Sequence, residues 1–108
     1  MIKGDSGIIV IQGDTYQKSV IIENVDSELI DEIYISCKDL GINKQLEYDS
    51  ENDKFVFTLT SQETINLKSM TTTFDITVYF TDSKVKTVSY KSSIQVLPKT
   101  NAVNRNEQ

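Results

Sequence analysis

The chain has 108 residues, 38% hydrophobic and 25% charged, with a formal charge of −5, one cysteine and no histidine. A chain of this length suits a single domain, which buries roughly 60–70% of its unfolded surface and can fold without disulfides or metal. One Cys excludes an intramolecular disulfide, the lack of His removes the usual zinc sites, and scattered Lys and Arg leave no footprint for nucleic-acid phosphates.

Ile8 to Gln12 reads as a first strand, stopped by Gly13-Asp14. Its IIVI core is too short for the apolar region of a signal peptide, and no run approaches the ~20 apolar residues of a membrane helix. A cytosolic protein with no membrane partner is expected. Tyr16 to Glu23 reads as a second strand, with Val20 and Ile22 on one face. Asn24 to Asp31 is a polar connection holding one apolar anchor, Leu29 or Ile30. In the third strand, Glu32 to Lys38, the residues Ile33, Ile35 and Cys37 share a parity and point inward. Cys37 therefore reads as a small core hydrophobe, with no base to make it a nucleophile.

Gly41 breaks the chain, and Asn43 to Tyr48 reads as a short fourth strand in which only Leu46 and Tyr48 alternate. The acidic run Asp49 to Asp53 has the residue types of a turn. Its alternate carboxylates resemble half of an EF-hand loop, but Lys54 stands where that loop needs glycine and Thr60 where it needs a bidentate Glu. No metal or cofactor site is expected. Phe55, Phe57 and Leu59 define a fifth strand. Thr60-Ser61-Gln62-Glu63 then matches a capping box, which places one short helical turn within residues 61–70, with Ile65, Leu67 and Met70 plugging the end of the fold.

Residues 73–97 spell a long hairpin. Phe74, Ile76, Val78 and Phe80 share one parity, and after Asp82-Ser83-Lys84 so do Val88, Tyr90, Ile94 and Val96. Strict alternation buries one face of each strand and wets the other. Asp75, on the wet parity, is expected in solvent, and no carboxylate pair sits in an apolar setting suited to acid–base catalysis. Pro98 ends the last strand, and residues 98–108 read as a flexible polar tail. The fold class is thus all-β: an antiparallel sandwich of about seven strands over residues 1–97. Free strand edges pair with partners, and the candidates are Ile8, Val10 and Gln12 on the first strand and Leu46 and Tyr48 on the fourth.

Three stretches carry a family resemblance. Gln12-Gly13-Asp14-Thr15-Tyr16 resembles a QGDT turn, Lys54 to Thr64 resembles a KFTLTLTSEET strand and capped turn, and Phe74 to Val78 with Val85 to Val88 resembles YYDIxV…GxVxT. Together they are similar to the immunoglobulin-like domain at the N-terminus of baseplate upper proteins and related tail proteins of phages infecting Gram-positive bacteria. The likeness spans residues 8–97, although Asn66 to Met70 lacks the glycine which that family tends to place before the last hairpin. Gly13, Asp14 and Thr15 are then fold markers rather than a binding site. The resemblance implies a non-enzymatic structural or adaptor protein, made in the bacterial cytoplasm, associated with the virion and docking on baseplate or tail proteins. The resembled domain usually heads a longer chain, whereas here no adhesive module is expected after Pro98. Small size and acidity also fit an alternative, a phage-encoded inhibitor of a host defence protein, for example of the anti-CRISPR type, blocking a basic nucleic-acid channel.

Overall fold

The computed structural model describes residues 2–3, 7–22 and 25–99, with residues 2, 3 and 88–92 described by backbone alone. Nine strands lie among the described residues. They are β1 (Ile2–Lys3), β2 (Ile8–Ile11), β3 (Tyr16–Ile22), β4 (Ile30–Cys37), β5 (Ile42–Gln45), β6 (Glu47–Asp49), β7 (Lys54–Leu59), β8 (Thr71–Phe80) and β9 (Val85–Leu97). The expected helical turn is α1 (Ser61–Ile65), and two 3-10 turns outside the expected window cover Ser27–Leu29 and Lys38–Leu40. Neighbour order is β1-β3-β7-β6 in one sheet and β2-β9-β8-β4-β5 in the other.

Alternation decides which faces meet. Phe55, Phe57 and Leu59 on β7, Ile33, Ile35 and Cys37 on β4, and Phe74, Ile76 and Val78 on β8 are all buried. Val20 and Ile22 from β3, Ile94 and Val96 from β9, and Ile8, Val10, Ile30, Ile42 and Leu46 join them in the core. Each such side chain contributes roughly 1.5–3 kcal/mol of transfer free energy, so the two apolar faces are the main source of stability. A one-residue slip of any strand would expose its whole apolar set. The β8–β9 ladder itself slips register twice, between Phe74 and Thr77.

The fold departs from the expected antiparallel seven strands in two ways. First, β2 runs parallel to β9, pairing Ile8 with Ile94 and Ile11 with Leu97. The turn after β2 therefore carries the chain from one sheet to the other instead of closing a hairpin. Second, the expected fourth strand is two strands in different sheets: β5 pairs with β4, and β6 pairs with β7. Leu46 is the corner between them, buried at 3% exposure, with its N–H donating to the Ile33 carbonyl at 2.8 Å. With the two-residue β1, this split accounts for nine strands where seven were expected.

Other expectations are corrected in detail. Ile65 does not plug the end of the fold but is 55% exposed, because Thr64 takes the inward position of the single helical turn. Leu67 packs on the core and Met70 is half-buried, while Phe80 is half-buried at the opposite end. Of the two possible anchors, Ile30 is buried and Leu29 is exposed. The side chains of Val88 and Tyr90, and the expected tail past residue 99, lie outside the described residues.

Candidate docking surfaces

One pole of the sandwich is closed by a hydrogen-bonded knot. The Thr60 hydroxyl accepts from the Glu63 N–H at 3.2 Å, and the Glu63 carboxylate accepts from the Thr60 N–H at 2.9 Å, forming the capping box that starts α1. This presents Thr64 to the interior at 0% exposure. Its hydroxyl accepts from the Gly13 N–H at 3.0 Å and donates to the Asp14 carbonyl at 2.7 Å, with the Ser61 carbonyl at 3.2 Å. Gln12 donates its side-chain amide to the Leu67 carbonyl (2.7 Å) and its N–H to the Leu97 carbonyl (2.9 Å). The Asp14 carboxylate pairs with Lys99 at 3.0 Å, and Thr15 is exposed. Gln12, Gly13 and Asp14 are thus engaged within the fold.

Gly13 sits at φ +88°, and a Cβ built there would lie 3.3 Å from Cδ1 of Ile65. Left-handed backbone costs an L-residue about 1–2 kcal/mol before any clash, so Gly13→Ala is expected to lower stability by about that amount. Gly7→Ala serves as the control, since its Cβ would meet nothing nearer than 4.0 Å. Comparable denaturation midpoints for the two variants would refute the strain argument.

The same knot carries a pH signature. Lys44 and then the Thr60 N–H hold the Glu63 carboxyl below the usual glutamate range. A lowered folded-state pKa means that the stabilisation is present above the unfolded value and lost as pH falls through the folded one. The stability difference between wild type and Glu63→Gln is therefore expected to be constant at neutral pH and to shrink on acidification below the ordinary glutamate range. Paired urea melts across that range would check it, and a difference that grows on acidification would refute it.

The anticipated edge residues divide. Ile8, Val10 and Leu46 are core side chains: β2 turns its even residues toward the sandwich, and Leu46 lies at the corner, where it also lines a surface groove. The exposed residues of β2 are Ile9 and Ile11, at 60% and 39%. This strand ends its sheet, yet its flanking acceptors are occupied: Lys18 Nζ donates to the Gly7 carbonyl at 3.0 Å and the Asp14 N–H to the Ile11 carbonyl at 3.0 Å. Tyr48, on the opposite edge strand β6, is 49% exposed. Its ring centroid lies 5.0 Å from that of Phe55, and its hydroxyl donates to Asp53 at 2.7 Å. That bond to Asp53, foremost, pushes the Tyr48 phenol up and holds the Asp53 carboxyl down.

Two grooves mark the surface, and only the second includes residues expected at a docking edge, Leu46 and Tyr48. A groove of 660 Å³ at the open pole is lined by Val25, Leu29, Phe80 and Val85, with Asp26 and Asp82 balanced by Lys84 and Lys86. A smaller groove of 460 Å³ runs between β4 and β6. Neighbouring apolar exposures such as Leu29 and Val85 are legible only after the strands are placed, since each sits beside a charged or turn residue in sequence.

The acidic turn folds on itself. Asp49 accepts from the Glu51 and Asn52 N–H groups (3.1 and 3.4 Å) and from the Asn52 amide (2.8 Å), and the last of these foremost lowers its carboxyl pKa. Among the described residues no three His, Cys, Asp or Glu side chains converge on a metal-sized site. Burial pushes the Cys37 thiol up, away from a reactive thiolate, and Asp75 is exposed.

Comparison with known proteins gives no matching family model and no curated protein of significant similarity. No described helix is long and apolar enough to cross a membrane.

Proposed function

We propose that this chain is a non-enzymatic docking domain of the immunoglobulin-like type, serving as a structural or adaptor component of a phage tail or baseplate. The observation that carries the reading is strand order. β1-β3-β7-β6 against β9-β8-β4-β5 follows the A-B-E-D against G-F-C-C′ order of immunoglobulin-like sandwiches, with the chain's first strands shared between the sheets. The inter-sheet disulfide and the Trp of antibody domains have no counterpart in a chain with one Cys and no Trp. The Thr64 knot adds support, because it joins two of the three stretches that carry the phage resemblance, the 12–16 turn and the 54–64 strand and cap.

Function on such a scaffold resides in its surfaces rather than in the fold. Here the protein works by docking on other proteins through the exposed edge and groove side chains, in the bacterial cytoplasm during assembly and then in the particle. Mass spectrometry and cross-linking of purified particles from the encoding phage or prophage are expected to recover the chain attached to tail proteins. Its absence from particles, with abundance in the producing cells, would overturn this reading. Capture of a host nucleic-acid-binding defence protein in place of particle proteins would favour the inhibitor alternative.

A further inference from the structure

We infer that the groove between β4 and β6 takes an arginine-bearing extended segment of the partner protein, an assignment that rests on the docking reading above. Its apolar floor is Leu46 and Phe55, its overhang is Tyr48, and its charged walls are Asp31, Glu32 and Glu47. Three carboxylates face no Lys or Arg in this lining, whereas the larger groove at the open pole balances two acids with two lysines. Of the two, only the β4–β6 groove selects a cation.

The choice of arginine follows from Tyr48. Phe55 supports its ring and the bond to Asp53 holds its hydroxyl, yet the side chain remains half-exposed. An immobilised, solvent-facing aromatic surface beside carboxylates suits a planar guanidinium, which stacks on the ring while forking its N–H groups onto a carboxylate. A lysine ammonium offers a point charge and neither the plane nor the fork. The choice of an extended segment follows from β6, which is the last strand of its sheet and, among the described residues, has one backbone edge without a partner strand. A strand laid along that edge extends the ladder and delivers alternate side chains to the groove. β6 has only three residues, so side-chain capture must supply most of the affinity.

The test uses the full chain and a fluorescent heptapeptide of alternating Thr and Arg, followed by anisotropy and by amide chemical-shift mapping. Shifts are expected to centre on residues 31–32 and 46–49. Tyr48→Ala is expected to weaken binding about tenfold, the loss of one desolvated cation–π contact, while Tyr48→Phe keeps the ring and stays within about twofold. Charge alone is controlled by two double variants. Asp31→Asn with Glu47→Gln should weaken binding about fivefold or more, whereas Asp26→Asn with Asp82→Asn removes the same charge elsewhere and should change it less than about twofold. Replacing Arg by Lys in the peptide should also weaken it.

Equal losses from the two double variants, shifts centred on Leu29 and Val85, or no peptide binding would each overturn the assignment. Should Tyr48→Ala fail to fold, the double variants decide, since their residues are exposed. Particle proteins captured by the chain without peptide binding would remove the groove assignment and leave the docking reading. Peptide binding at Tyr48 with the chain absent from particles would do the reverse.

Discussion

Truncating Phe57 to Ala is expected to cost about 3–5 kcal/mol, out of a total near 5–15 kcal/mol for a domain. Phe57 is fully buried near the centre of β7, and its ring packs edgewise with that of Tyr16 at a centroid distance of 6.1 Å. Two losses add: the transfer free energy of the ring, and the contacts its neighbours forfeit around a void that the paired strands on each side cannot close. Asp75→Ala, on the wet face of β8, is expected to move stability by less than about 0.5 kcal/mol. Urea melts should show this as a shift in midpoint at unchanged slope. Equal shifts for the two variants would mean that the inward faces have been misassigned.

The second large effect is expected from a single hydroxyl. Thr64→Val keeps the size and β-branching of the side chain but leaves the Gly13 N–H and the Asp14 carbonyl without their partner. A buried polar group left unsatisfied costs about 1–3 kcal/mol, so the variant should lose about 2–3 kcal/mol although it is more apolar. Thr64→Ser keeps the hydroxyl and gives up a methyl, for about 1 kcal/mol. Valine proving as stable as threonine would show that the knot is solvated and contributes little.

The strands whose inward face could be read from the sequence are those with a regular apolar parity. Phe55, Phe57 and Leu59, like Phe74, Ile76, Val78 and Phe80, place bulky apolar residues on one parity, and that period specifies which side chains go inward. Ile8 to Ile11 is apolar throughout, so its parity carries no information. The parallel register with β9 buries Ile8 and Val10 and leaves Ile9 out. β5 and β6 are too short to show a period, and a change of sheet at one residue, Leu46, has no local signature. Thr64 was invisible for a different reason: a pattern of apolar and polar residues scores its methyl and hydroxyl together, and the work is done by the hydroxyl. The capping box was legible because it is a local exchange between residues three apart. The bonds from Thr64 to Gly13 and Asp14 span about fifty positions and become visible only in three dimensions.

The parallel pairing of β2 with β9 also has a mechanical consequence. β2 begins beside Ile94 and ends beside Leu97, so a load entering the chain at Gly7 and leaving at Pro98 pulls the two strands past one another along their length. The ladder is then strained in shear, all of its bonds together, instead of being peeled open one at a time as at the end of a hairpin. A domain tied in this way resists tension transmitted through its own backbone.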